Sequence, residues 1–187
     1  MNKNLSHDDK LKLLTYVRKI IEKSLFPERN IEIDLTEYTN PVFNENRGAF
    51  VTLHLDGNLR GCIGYVYAIK PLLETLTDVA KSAAFSDPRF MPLSQEEFDD
   101  IDLEVSVLSP ITEVGNLDEI EVGKHGLIIK SGMSSGLLLP QVPVEQKWDK
   151  TSFLQHTCLK AGLPSNAYIQ GANLFKFTAT VFGEKGI

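Results

Sequence analysis

Only two cysteines, Cys62 and Cys158, occur in the 187 residues. So sparse a count excludes a disulfide-stapled scaffold and reads as two reduced thiols in a cytoplasmic protein. No apolar run approaches the ~20 residues that a membrane-spanning helix needs. The polar stretch from Met1 to Lys12 has neither the apolar core nor the small-residue cleavage site of a secretory signal. Positive charge is also short. Nineteen Lys and Arg stand against 25 Asp and Glu, for a formal net charge of −6. That balance argues against non-specific nucleic-acid binding, which needs a basic face, and leaves room only for a local basic pocket. The histidines His7, His54, His125 and His156 are scattered, and no C-x-x-C, H-x-x-x-H or carboxylate cluster accompanies them. Neither a metal site nor a cofactor is therefore expected. The P-loop and the dinucleotide-binding glycine pattern are missing too. With no long linker, low-complexity tract or fixed-period repeat, residues 1–187 read as one domain, with room for a larger and a smaller lobe.

What is present is periodic. Ser6 followed by Asp9 resembles a capping box, and Leu11, Leu14, Val17, Ile20 and Ile21 then recur at helical spacing up to Pro27. Ala49 to Leu55 and Leu59 to Val66 alternate with period two around Asp56-Gly57-Asn58, which predicts a β-hairpin. A three-residue loop is preferred, because it sets Leu55 opposite Leu59 and Val51 opposite Ile63 on one face. Thr52, His54, Arg60 and Cys62 then share the other face. Pro71 opens a helix with a broad apolar stripe from Leu72 to Ala84, stopped at Ser86-Asp87-Pro88. A short helix is expected from Ser94, capped by Glu97, and a strand from Ile101 to Val107. Later, Gly126–Ser131 and Gly136–Leu139 read as paired strands, Asp149 caps a helix closed by Gly162, and Phe175 to Val181 forms a last strand. Hairpins mixed with helices predict an α+β fold with largely antiparallel sheet.

The candidate chemistry centres on Leu59-Arg60-Gly61-Cys62-Ile63-Gly64. Glycine inside a strand costs packing and conformational entropy, so Gly61 and Gly64 mark a bulge or a close approach by ligand, strand or helix. Cys62 is then either a nucleophile whose thiolate is favoured by Arg60, with His54 opposite that arginine, or a small packing residue. Arg89, on the Asp87-Pro88-Arg89-Phe90 turn, is either an anion clamp or a surface charge. Glu104, between Leu103 and Val105, is either a partly buried general acid or base or an ordinary solvent-facing glutamate. Trp148 beside Asp149 either lines a pocket mouth or covers the core. Gly132-Met133-Ser134-Ser135-Gly136 fits a nucleophile-elbow pattern. Yet the following Leu137-Leu138-Leu139-Pro140 reads as a strand, where an elbow requires a helix, so a hairpin turn is expected there.

Four segments together resemble the AMMECR family, named for a human chromosomal region linked to Alport syndrome with midface hypoplasia and elliptocytosis. They are Arg47-Gly48-Ala49-Phe50-Val51-Thr52-Leu53, the Leu59–Gly64 motif, Asp87-Pro88-Arg89-Phe90, and Leu137-Leu138-Leu139-Pro140-Gln141-Val142 leading to Trp148-Asp149. The resemblance spans nearly the whole chain. It implies a two-lobed α+β protein with antiparallel sheets flanked by helices, a cleft between the lobes, and a Memo-like protein and a radical SAM enzyme as partners. Roles suggested within the family run from a modifying enzyme to a regulatory factor acting around nucleic acid. Pro143 departs from the small residue many relatives carry, which bears on the backbone path into Trp148. Two readings follow. One is an enzyme or enzyme subunit with Cys62 as nucleophile or covalent carrier, Arg60 and Arg89 holding an anionic group, and His54 or Glu104 moving the proton. The other is a binding or adaptor module presenting an apolar patch rimmed by Arg47, Arg60 and Arg89 to a protein, small ligand or nucleic acid.

Overall fold

Two reciprocal hydrogen bonds start the first helix where the sequence places it. In the computed structural model, which describes residues 5–186, α1 (His7–Leu25) begins at Ser6. The Ser6 hydroxyl accepts from the Asp9 N–H, and the Asp9 carboxylate accepts from the Ser6 N–H. Two donors that the first turn would leave unsatisfied are thereby used. Leu13, Leu14, Val17, Ile20 and Ile21 form its buried stripe.

The hairpin forms with a different register from the one expected. β1 (Ala49–Leu55) and β2 (Asn58–Tyr65) are joined by a two-residue loop, with Leu55 opposite Asn58. Asp56 and Gly57 both have positive φ, at 51° and 77°, as the twist-matched hairpin turn requires. Val51 does face Ile63, but Leu59 faces His54, not Leu55, and a bulge between Leu53 and His54 restores the core register. Arg60 is the extra, unpaired residue of that bulge. A bulge absorbs one residue and resets the period-two pattern, a rearrangement that an argument from uniform pairing cannot anticipate.

α2 (Leu72–Phe85) buries Leu72, Leu76, Val79, Ala80, Ala83 and Ala84 against β1 and β2. β3 (Ile101–Leu108) runs antiparallel to β1. The short helix expected from Ser94 is a series of turns. Half of its capping box exists, since the Ser94 N–H donates to Glu97 at 2.9 Å. The Glu97 carboxylate is otherwise engaged by Arg60, and only isolated turn bonds follow.

The chain divides into two compact units, one comprising the chain up to Leu108 together with the stretch from Thr180, the other Ser109–Ala179. In the first, α1 and α2 cover one face of the β2–β1–β3 sheet, and Ala49, Val51, Leu53, Leu103 and Val105 supply that face of the core. The second holds β4 (Thr112–Glu113), β5 (His125–Ser131), β6 (Ser134–Leu138), α3 (Gln141–Glu145), α4 (Lys150–Lys160) and most of β7 (Asn173–Gly183), whose last residues belong to the first unit. All strand pairing in the second unit is antiparallel. The fold is α+β, antiparallel sheet flanked by helices.

Ser134 and Ser135 lie in β6 after a two-residue turn at Gly132-Met133. A strand follows them directly, so no nucleophile elbow forms. Pro143 is buried in the first turn of α3, where its missing N–H costs no helical bond, and its carbonyl accepts from Trp148 N–H at 2.8 Å. Among the described residues, no helix is long and apolar enough to cross a membrane.

Candidate functional site

The face of the β2–β1–β3 sheet turned away from the helices carries the site. Cross-strand register builds it in rows: Cys62 opposite Thr52 and Thr52 opposite Glu104, with His54 opposite Asp102 and Phe50 between Gly64 and Ser106. These residues are all half-buried. The Thr52 hydroxyl donates to the Cys62 sulfur at 3.3 Å. Three of the residues expected to carry chemistry, Cys62, His54 and Glu104, thus share one face.

β2 is an edge strand, so the outward N–H and C=O of Cys62 have no strand to pair with. The Asp87-Pro88-Arg89 turn takes that strand's place. Asp87 Oδ2 accepts from the Cys62 N–H at 2.9 Å, and Arg89 Nη2 donates to the Cys62 carbonyl at 3.1 Å. The two side chains are locked to each other by Nε–Oδ1 and Nη2–Oδ2 bonds of 2.9 and 2.7 Å, the bidentate geometry that favours arginine over lysine. Asp87 is only 4% exposed. The Arg89 guanidinium, reinforced by the Cys62 and Arg89 N–H groups, holds its carboxyl far below the usual carboxylate range against the opposing effect of burial. Arg89 is raised in turn, chiefly by Asp87, with the Cys62 side chain adding in the same direction.

That coupling gives a signed pH dependence. A carboxyl whose folded pKa is depressed contributes stability in full above its unfolded value, here ordinarily 3.8, and loses it as pH falls towards the folded value. Asp87→Asn is therefore expected to be less stable than the parent at pH 7, and the gap is expected to narrow steadily below about pH 4. Urea unfolding of both proteins across that range checks it. A gap that stays constant down to pH 2.5 or so would contradict the assignment.

The glycines are explained by the chain itself. A Cβ on Gly61 would lie 2.2 Å from the Ala83 carbonyl oxygen of α2, and one on Gly64 would lie 2.2 Å from the Phe50 ring. The close approaches that the sequence signals are thus made by a helix and an aromatic ring, not by a ligand. Arg60 does not face His54 and is not free to hold an anion. It binds Glu97 through Nε and Nη2 at 2.8 and 2.9 Å and the Met91 carbonyl through Nη1 at 2.9 Å. Arg47 forms no rim: it is buried, paired with Glu45 at 2.6 Å, and its Nε has no hydrogen-bond partner. Trp148 lies in the second unit, stacked on His156 with ring centroids 3.9 Å apart, against the core around Phe153 and Leu154. Cys158 is fully buried and both cysteines are free. Among the described residues, no three His, Cys, Asp or Glu side chains gather as a metal-ligand set.

Sequence reasoning set Thr52 on the Cys62 face without giving it a role, gave Glu97 only a capping role, and did not nominate Asp102. Thr52 was recoverable from the hairpin, since the Val51–Ile63 pairing sets it opposite Cys62. Glu97 carries a capping signal that masks its distant bond to Arg60.

The AMMECR1 family model matches residues 14–182. A protein of Methanothermobacter thermautotrophicus is 46% identical over an alignment of 191 residues that covers 97% of each chain. Protein MJ0810 of Methanocaldococcus jannaschii is 46% identical over 178 residues, covering 90% of this chain and 87% of its own length. Among solved structures, the uncharacterized protein PH0010 from Pyrococcus horikoshii superposes with a TM-score of 0.77 at 41% identity, over 93% of this chain and 90% of that one.

Proposed function

The chain belongs to the AMMECR1 family, and from that membership we propose that it works through the thiol of Cys62, as an enzyme or as the thiol-bearing subunit of one. One observation carries this reading. Asp87 and Arg89 fix the Cys62 peptide at the sheet edge, while the sulfur is left half-buried on the second face with Thr52 donating to it. A buried carboxylate clamped by an arginine onto one peptide is the kind of support a positioned nucleophile uses. In this scheme the sulfur forms the bond to an electrophilic atom of the substrate, and the thiol proton passes to Glu104 or His54. Arg89, half exposed, is the cation left for an anionic group, since Arg60 is committed to Glu97. For the subunit form, a Memo-like protein or a radical SAM enzyme is the proposed partner, on the sequence resemblance alone.

A second reading, a non-catalytic binding module using the same surface, is favoured by Gly61 and Gly64, whose cost is fully accounted for by packing. Alkylation separates the two in a Cys158→Ser background. The enzyme reading expects Cys62 to react with iodoacetamide in the native protein, and to slow roughly 10-fold or more in Glu104→Gln or His54→Asn. Reaction that appears only on unfolding, at the same rate in every variant, leaves Cys62 as a packing residue and favours the binding module.

A further inference from the structure

The lock on Cys62 imitates one residue of a neighbouring strand and then stops. In an antiparallel ladder, the N–H and C=O of every second residue both face the next strand. Cys62 is such a residue: its N–H and carbonyl turn away from β1, to Asp87 at 2.9 Å and to Arg89 at 3.1 Å. Two positions on, Gly64 pairs with Phe50 in unbroken register, so its N–H and carbonyl face the same way. β2 is the last strand of its sheet, and among the described residues no group bonds to Gly64 on that side. The next pairing position of the edge is open.

A cation stands beside it. Asp87 meets the N–H end of Cys62 and Arg89 its carbonyl end, so the order along the edge is carboxylate, guanidinium, Gly64 N–H. Arg89 gives Nε and Nη2 to Asp87, and Nη2 also to the Cys62 carbonyl. Nη1 lies on the side of the planar fork away from Asp87 and has no bond among the described residues, and the side chain is 52% exposed. A backbone donor without an acceptor, next to a guanidinium end without an anion, fits a carboxylate. Strand direction says which one. A strand added antiparallel to β2 runs towards Cys62, so its C-terminal end arrives at Arg89.

We propose that this edge binds the C-terminus of an extended peptide from a partner protein. The last residue of the peptide pairs with Gly64. Its N–H donates to the Gly64 carbonyl, one carboxylate oxygen accepts from the Gly64 N–H, and the other accepts from Arg89 Nη1. Directly paired residues turn their side chains to one face. On that face a Cβ at Gly64 would lie 2.2 Å from the Phe50 ring, so the last side chain of the peptide packs on Phe50 and is apolar. The residues before it run towards Tyr67 and Ile69, large side chains that follow β2 with 45% and 66% exposure. This site uses the backbone of Cys62 and not its sulfur, so it goes beyond the thiol reading and is tested apart from it.

The test offers a pool of fully randomised hexapeptides to the immobilised full chain, once with free C-terminal carboxylates and once amidated, and reads the retained peptides by mass spectrometry. Free acids are expected to be retained about 10-fold or more over amides, with an apolar last residue enriched, and to lose a similar factor in Arg89→Lys. Amide hydrogen exchange by NMR then locates the contact in the parent protein. The Gly64 N–H is expected to exchange freely without peptide, although it lies in a strand, and to become protected when a retained peptide is added. That readout stays decisive if Arg89→Lys fails to fold. Equal retention of acids and amides overturns the proposal, as does a folded Arg89→Lys protein that retains them undiminished. Binding that leaves Gly64 exchange unchanged places the carboxylate elsewhere and overturns it too. If N-acetylleucine protects Gly64 as fully as a retained hexapeptide does, the notch takes a small carboxylate and strand addition is wrong.

Discussion

Gly61→Ala is expected to destabilise the protein by about 3 kcal/mol, at the upper end of what overpacking a well-filled site costs. The added methyl would sit 2.2 Å from the Ala83 carbonyl oxygen and 3.2 Å from its carbonyl carbon. Both are backbone atoms of α2, so no side-chain rotation relieves the contact. Relief requires the helix to move off the strand, and Leu72, Leu76, Val79 and Ala80 anchor that helix in the core with no exposure. Chemical denaturation should show a lower midpoint with little change in slope, the sign of lost stability without a changed unfolding reaction. A Gly61→Ala protein as stable as the parent would mean that the strand and α2 are not in the contact described.

Arg89→Met is the second large effect, about 3 kcal/mol. Removing one partner of a buried ion pair leaves an uncompensated charge at a cost of roughly 3–5 kcal/mol, here taken at the low end because Arg89 is half exposed and water can replace it in part. The Asp87 carboxylate would keep only the N–H groups of Cys62 and Arg89. The double variant Asp87→Asn/Arg89→Met removes the stranded charge, and the Asn carbonyl can still accept from Cys62. It is expected to be more stable than Arg89→Met alone, an inversion that only a coupled pair produces. Strictly additive losses would contradict the coupling.

Much of this was legible in the residues. Helix α1 was readable to its cap because the Ser6–Asp9 box is a local device. The face shared by Thr52, His54 and Cys62 was readable because period-two alternation is geometric, whereas the pairing of β3 with β1 that brings Glu104 to it is not written in either strand. Two kinds of feature were not. The bulge at Arg60 changes the count of residues between two patterned stretches, and only the two-residue turn at Asp56-Gly57 reveals it. The bonds from Asp87 and Arg89 to the Cys62 peptide, and from Glu97 to Arg60, join positions 25 to 37 residues apart. Local pattern carries no trace of such bonds. Arg47 was misplaced for the same reason, since beyond its local pair with Glu45 its N–H donates to the Lys70 carbonyl and its carbonyl accepts from the Thr75 hydroxyl.

The central claim is that the sheet-edge lock presents Cys62 as a reactive sulfur on an accessible face. The most direct test labels the native parent protein briefly with iodoacetamide and locates the adducts by peptide mass spectrometry. The account predicts rapid modification at Cys62 with Cys158 protected until the protein is unfolded. Protection of Cys62 equal to that of the buried Cys158 would contradict it.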